Sequence, residues 1–251
     1  MSRGFAYPPP SDGKPFRLIM GLRELSPEIW FESGDDVEAQ LLERSRHIEN
    51  VRDTVFQVLP GHDAAISTVV ASVLTNLREF HPEYSYQDSL LTHTPTGISV
   101  DLTKDHPFIQ LGKVLCEDLC LLVKEDGVWR LIAGLVVFPS RWDLREKIGK
   151  DIDSIHAPVP GYGEALAPYM SATFDKIKDD RPVWRRNWSL HSTSDLHQPT
   201  SIHHSVAADK YWWRTERQTL TRLPNSNYLL FTIRNRAEPL NWIANDPESA
   251  Q

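Results

Sequence analysis

The stretch KVLCEDLCLLVKEDGVWRLIAGLVVFPSRW, residues 113–142, holds two apolar runs joined at Glu125-Asp126-Gly127. Asp-Gly between two such runs is a strong local signal for an antiparallel hairpin. The second run, Trp129 to Phe138, is apolar on both faces, which predicts a central strand. Pro139 stops it. An antiparallel sheet therefore organises the chain.

Upstream the period changes to that of a helix. Ile66, Val69, Val70, Val73, Leu74, Leu77 and Phe80 recur at helical spacing, and Pro82 ends the run. Asp36 to about Leu59 also reads as helical, through Val37, Leu41, Leu42, Ile48, Val51 and Val55. His81 to Asp105 is loop-rich, with short strand-like pieces such as GISVDL. Trp30 and Phe31 are expected to anchor the preceding segment onto the core. Residues 1–15 are rich in Pro, Gly and Ser and read as a flexible or docking arm. Residues 16–251 read as one domain.

Downstream, Asp143 to Ile155 reads as one helix. Asp143 and Glu146 fit a capping box, and Leu144, Ile148, Ile152 and Ile155 form a stripe. His156 follows, and then Ala157-Pro158-Val159-Pro160. Two prolines in three residues stiffen the backbone just after the imidazole. A second amphipathic helix carries Leu166, Tyr169, Met170, Thr173, Phe174 and Ile177. VWRRNWSLHS reads as a strand, HSTSDLHQPTSIHHS as a polar loop, Asp209 to about Arg222 as a helix, and NYLLFTIRNRA as a final strand. The fold class is α+β: helices first, then an antiparallel sheet with helices inserted between its strands.

The chain has 251 residues and a formal net charge of -7. That argues against a nucleic-acid partner, which needs a basic face. No apolar run approaches the roughly 20 residues that span a bilayer, so no membrane partner is expected. The first residues lack the apolar core of a secretory signal, so a cytoplasmic location is expected. Cys116 and Cys120, four apart on one strand, lie roughly 13 Å from each other and should be free thiols.

Four clusters offer chemistry. His156 at a helix end is either a capping or core residue or a fixed metal or haem ligand. His191, His197, His203 and His204 share a polar loop, but their spacing matches no zinc motif. The run WWRTERQTLTRLP, residues 212–224, sets Arg214, Glu216, Arg217 and Arg222 beside two tryptophans. A solvated face is the bland reading; a grip for a flat, anionic molecule is the sharper one. In VWRRNW, Arg185 and Asn187 share one strand face, and Trp184, Arg186 and Trp188 share the other. No nucleotide, P-loop, hydrolase or covalent-haem motif is present.

The ordered strings MGL, EDLCLL, FPSRWDLREKIGKDIDSIHAPVP, VWRRNW and ERQTLTRLPNSNYLLFTIR resemble the haem-dependent oxidative N-demethylase family, from about Phe16 to Arg236. The resemblance implies a PAS-like fold, an antiparallel sheet with helices on one side, holding non-covalent haem b. It implies oxidative removal of a methyl group from a small secondary amine such as dimethylamine, with O₂ consumed and formaldehyde released. Electrons would come from NADPH through FMN and iron–sulfur partners on a separate reductase chain. His156 becomes the axial iron ligand, with a backbone carbonyl or a carboxylate to orient its other nitrogen, Asp153 being one candidate. Trp142, Arg185, Asn187, Trp188 and Arg214 become cofactor-binding candidates, with Trp184 as a further wall of the ring. Glu216, Arg217 and Arg222 become catalytic candidates. A haem-binding gas or redox sensor is the alternative, and analogy with PAS-like domains admits a homodimer.

Overall fold

The computed structural model describes residues 5–9, 20–200, 206–207 and 210–245. His203 and His204 lie outside the described residues, as does most of the predicted arm.

The hairpin forms where its sequence demands. Strand β6 (Glu117–Glu125) turns through Asp126 and Gly127, both at positive φ, into β7 (Val128–Leu135). The complete sheet has seven antiparallel strands in the order β1-β8-β9-β10-β6-β7-β2. The others are β1 (Arg23–Glu24), β2 (Phe56–Val58), β8 (Val183–His191), β9 (Trp212–Arg222) and β10 (Tyr228–Pro239). β7 is interior, but only the three-residue β2 separates it from the edge. A smaller sheet joins β3 (Tyr84–Gln87), β4 (Leu90–His93) and β5 (Ile98–Asp101).

Helices cover both faces of the large sheet, not one. Alternation along β6 divides them. Leu119, Leu121 and Val123 point to a first face. There they meet α1 (Val37–Asn50), α3 (Asp63–Phe80) and α4 (Pro107–Val114), through residues such as Ile48, Val69, Val73 and Phe108. Leu122, with Leu220 and Leu229 of β9 and β10, points to the second face. It meets α5 (Ile152–His156), α6 (Tyr162–Ala165) and α7 (Ala167–Lys176) through Ile152, Met170 and Phe174. A bulge in the β6–β7 pairing at Leu121/Leu122 leaves Ile132 as an extra residue and lets the consecutive Ile132 and Ala133 both join the first-face core, with Leu131 on the other face. Each large apolar side chain buried this way contributes about 1.5–3 kcal/mol. Trp30 and Phe31 are buried in the first-face core, as their sequence context predicts.

Three predicted helices differ from the structure. Residues 212–222 form β9, a central strand. Its Thr215, Thr219 and Thr221 suit a strand, and pairing with β10 along its whole length and with β8 over Trp212 to Leu220 outweighs the helix-like spacing of its arginines. Asp143–Ile155 is not continuous. Asp143 does cap a short turn over Leu144–Glu146, but Gly149 takes positive φ and bonds the edge of β7. Asp151 then starts α5 afresh by accepting from the Ser154 amide at 2.8 Å. Finally, the Asp36–Leu59 helix ends at Asn50. It is followed by α2 (Arg52–Val55) and then β2.

Helix α4 lies so close to β7 that a Cβ on Gly112 would fall 1.9 Å from Leu135 Cδ2. Leu135 is fully buried and has no open side to move to. Gly112→Ala should therefore destabilise by about 1–3 kcal/mol through overpacking, although alanine is the better helix former. The check is a lower urea midpoint at unchanged slope; an unmoved midpoint would mean that Leu135 gives way without cost.

Candidate functional site

His156 closes α5, a helix of only five residues. Its Nδ1 lies 2.7 Å from the carbonyl oxygen of Ile152, one turn earlier. A carbonyl can only accept, so Nδ1 carries the proton and Nε2 keeps its lone pair. Burial lowers the imidazole pKa, against the opposing effect of the Ile152 bond. The ring is therefore neutral at pH 7. Among the described residues Nε2 makes no hydrogen bond. The orienting partner is thus a backbone carbonyl and not Asp153. The Asp153 carboxylate instead accepts from the Tyr162 hydroxyl at 2.5 Å. Tyr162 in turn stacks on the imidazole, with ring centroids 5.2 Å apart and planes 19° from parallel.

Beside His156 the second face of the sheet lies partly open. β9 and β10 are central strands, so full cover would bury every residue on that face. Leu220 and Leu229 are buried against α5–α7. Glu216, Gln218 and Phe231, on the same face, stay half-exposed. The cover stops short next to α5 and leaves a partly covered area of the sheet, the recess, defined by these half-exposed side chains over a buried apolar cluster. Its floor is apolar: Cys120, Leu131, Val136 and Leu144 are buried, with Trp142, Ile148, Ile155 and Phe231 packed on them. Its rim is polar. Arg185 and Asn187 of β8 stand opposite Gln218 and Glu216 of β9. Arg185 acts electrostatically on both His156 and Glu216, and burial lowers its pKa from the usual arginine value. Gln218 Nε2 donates to Glu216 Oε2 at 3.0 Å.

Of the residues singled out in the sequence, the fold brings His156, Trp142, Arg185, Asn187 and Glu216 to this recess. The others lie elsewhere: Arg217 and the two tryptophans of β8 are on the first face, while Arg214 and Arg222 share the second face with Glu216 but are engaged by backbone carbonyls farther along β9. Arg217 points to the first face, where it donates to the carbonyls of Ile29 and Trp30 and pairs with Glu32 at 3.1 Å. Trp184 shares that face, between the guanidinium groups of Arg23 and Arg217. Trp188 is there too, stacked on Trp213. Arg214 is on the second face but fully buried. It donates to the carbonyls of Leu196 and Phe138 at 2.8 Å each and to Asn235 Oδ1 at 2.9 Å. Arg222, near the other end of β9, donates to the carbonyls of Ile177, Phe174 and Ser226 and lies over Trp129. These arginines tie loops and helix ends to the sheet.

The polar loop holds His191 against Gln198 and His197 against the Val137 carbonyl, while His197 stacks on His47. Among the described residues no group of three or more His, Cys, Asp or Glu side chains has metal-binding geometry. Both cysteines are free and buried.

Four site residues escape the sequence reading: Lys147, Tyr162, Gln218 and Phe231. Lys147 reaches across to donate to the Ile155 carbonyl at 2.9 Å and so caps α5. Gln218 becomes legible once 212–222 is read with period two. Tyr162 had one signal, an aromatic residue six positions beyond His156 across a proline-bound turn.

A family model described as haem-dependent oxidative N-demethylase, alpha subunit-like, matches residues 21–251. The chain belongs to this family. The description implies haem dependence and oxidative chemistry. The recess suits such a group: it offers a neutral imidazole nitrogen, an apolar floor and a cation on the rim. Among the described residues no helix is long and apolar enough to cross a membrane.

Proposed function

We propose that the chain binds haem b in the recess on the second face and removes a methyl group oxidatively from a small secondary amine of the dimethylamine type. The observation that carries this reading is His156: a neutral ring, tethered at Nδ1, with Nε2 unengaged beside an apolar, half-open recess. His156 would ligate iron, Trp142 and Phe231 would line the macrocycle, and Arg185 would meet a propionate. Asn187 would add a hydrogen bond at the rim. We read residues 16–251 as one haem-binding, PAS-like domain acting in the cytoplasm, with homodimerisation open to test.

Haem, when bound, supplies the dioxygen and one-electron chemistry that no side chain here provides. The rest falls to the chain. Glu216 would hold the substrate ammonium, its Oε2 steadied by Gln218 so that Oε1 faces the amine. The buried side chains of the floor exclude water beneath the site. In balance dioxygen would take up four electrons and two protons: the N-methyl group gives two electrons and receives one oxygen atom, its carbon leaving as formaldehyde, and the second oxygen becomes water with two further electrons from a reductant. Those further electrons would come from NADPH through FMN and iron–sulfur groups on a separate reductase. Neither cysteine of this chain suits a cluster, since both are buried and burial raises their thiol pKa values.

The test is amine-dependent oxygen uptake and formaldehyde release by haem-loaded protein supplied with reductant, for wild type and Glu216→Gln. Turnover in the wild type that falls about 10²-fold or more in the variant, with absorption unchanged, is expected from loss of the ammonium partner. Haem binding with no amine-dependent turnover would favour a gas or redox sensor. Unchanged turnover and amine affinity in the variant would remove Glu216 from the site.

A further inference from the structure

Between His156 and Tyr162 the backbone makes two successive tight turns. The Val159 amide donates to the His156 carbonyl at 2.8 Å, and the Tyr162 amide donates to the Val159 carbonyl at 3.1 Å. Pro158 and Pro160 fix φ inside these turns. Gly161, at φ +77°, supplies the left-handed step that starts α6. The result returns the Tyr162 ring onto the imidazole that precedes the prolines. Tyr162 is itself buried among Leu166, Met170 and Phe174, so the stacking surface is anchored in the core.

This matters because α5 cannot hold its last side chain by itself. A five-residue helix has little intrinsic stability. Its ends are tied from outside, by Asp151 at the N-terminus and by Lys147 at the C-terminus. The Nδ1 bond to Ile152 sets the direction of the imidazole, but a hydrogen bond tolerates a range of angles and so leaves the ring plane room to tilt. A nearly parallel aromatic face removes this freedom. The Tyr162 hydroxyl then closes the arrangement by donating to Asp153, a residue of α5 itself. Helix, ring and stacking partner form one closed unit.

We propose that Tyr162, braced by Asp153, is a positioning residue that sets the plane of the His156 imidazole and so the strength with which it ligates haem iron. The inference rests on the haem reading above. It makes the proline pair a device for returning Tyr162, rather than a direct clamp on the histidine.

The experiment compares wild type, Tyr162→Leu, Tyr162→Phe, Asp153→Asn and His156→Ala. Two quantities are read: the rate of haem transfer to excess apomyoglobin, and the iron–histidine stretching band in the resonance Raman spectrum of the ferrous protein. Tyr162→Leu keeps an apolar core residue but loses the stack. Haem should leave about 10–100-fold faster, the range for groups that orient a metal ligand, and the band should shift or broaden. Tyr162→Phe keeps the ring and loses only the brace. With Asp153→Asn it should broaden the band at an unchanged urea midpoint, which a purely structural role would not do. If Tyr162→Leu misfolds, these two variants carry the test. Wild-type release rates and bands in all Tyr162 and Asp153 variants that fold would overturn the inference. A wild type that binds no haem, or His156→Ala with an unaltered band, would instead sink the haem reading on which it rests.

Discussion

Replacing His156 with alanine should abolish the Soret absorption of protein purified from haem-supplied cells. The imidazole is the only candidate ligand that the fold presents to the recess with a free lone pair, among the described residues. The buried thiols of Cys116 and Cys120 have their pKa values pushed up, to about 11 for Cys116, so neither offers a thiolate at pH 7. The change should cost the apoprotein little. The ring is only half-buried, and its one hydrogen bond goes to a helix carbonyl that keeps its helical geometry. Far-UV circular dichroism should be unaltered and the unfolding free energy from urea titration should fall by no more than about 1 kcal/mol. His156→Gly with added imidazole should restore part of the band, because the free ligand can occupy the space left behind. A wild-type Soret band in the alanine variant would remove His156 as ligand and leave it as a helix-ending residue.

The largest effect on stability is expected at Asp118. It sits on β6 with Arg44 of α1 at 2.8 Å, both side chains wholly buried. Asp118 also accepts from the backbone amides of Val137 at 2.8 Å and Phe138 at 3.1 Å, and from Asn235. Arg44 spends its other donors on the carbonyls of Gly112, Cys116 and Glu117. One ion pair thus joins α1, α4, β6, β10 and the chain leaving β7. Asp118→Ala leaves a buried guanidinium without its counter-charge and orphans two amides. Breaking one side of a buried pair costs about 3–5 kcal/mol, a large part of the 5–15 kcal/mol typical of a domain. Urea unfolding should show a midpoint lowered by about that much free energy at unchanged slope. Asp118→Asn, which keeps an acceptor for the amides but loses the charge, should fall between. If Asp118→Ala matched the wild-type midpoint, the cluster would contribute nothing net.

Much of the architecture is legible from local chemistry. The β6–β7 hairpin follows from Asp126-Gly127 between apolar runs, and α3 follows from its seven apolar positions at helical spacing. Both signals are local, and the structure obeys them. The failures share one cause. Residues 212–222 carry charged and polar side chains at spacings that suit a helix as well as a strand. Only neighbours on both sides decide, and those neighbours, β8 and β10, are remote or separated by a turn. The same error hid the face assignment of the site. Read as a helix, Glu216 and Arg217 adjoin; in β9 they point to opposite sides of the sheet. Gly149 broke the predicted 143–155 helix for a similar reason: its bond to Leu131 is tertiary, and the capping signal at Asp143 could not reveal it.

By itself the sequence determined the antiparallel hairpin, the long helix α3, the reduced cysteines, and the ordered motifs that mark family membership. All are carried by residues close in the chain or by strings long enough to be distinctive. Only the tertiary structure decided which arginines brace loops and which one reaches the recess, that Ile152 and not Asp153 orients His156, and that Tyr162 lies on the imidazole. Those choices depend on which strand faces meet which helices. That is set by burial summed over the whole core, which no local window of sequence contains.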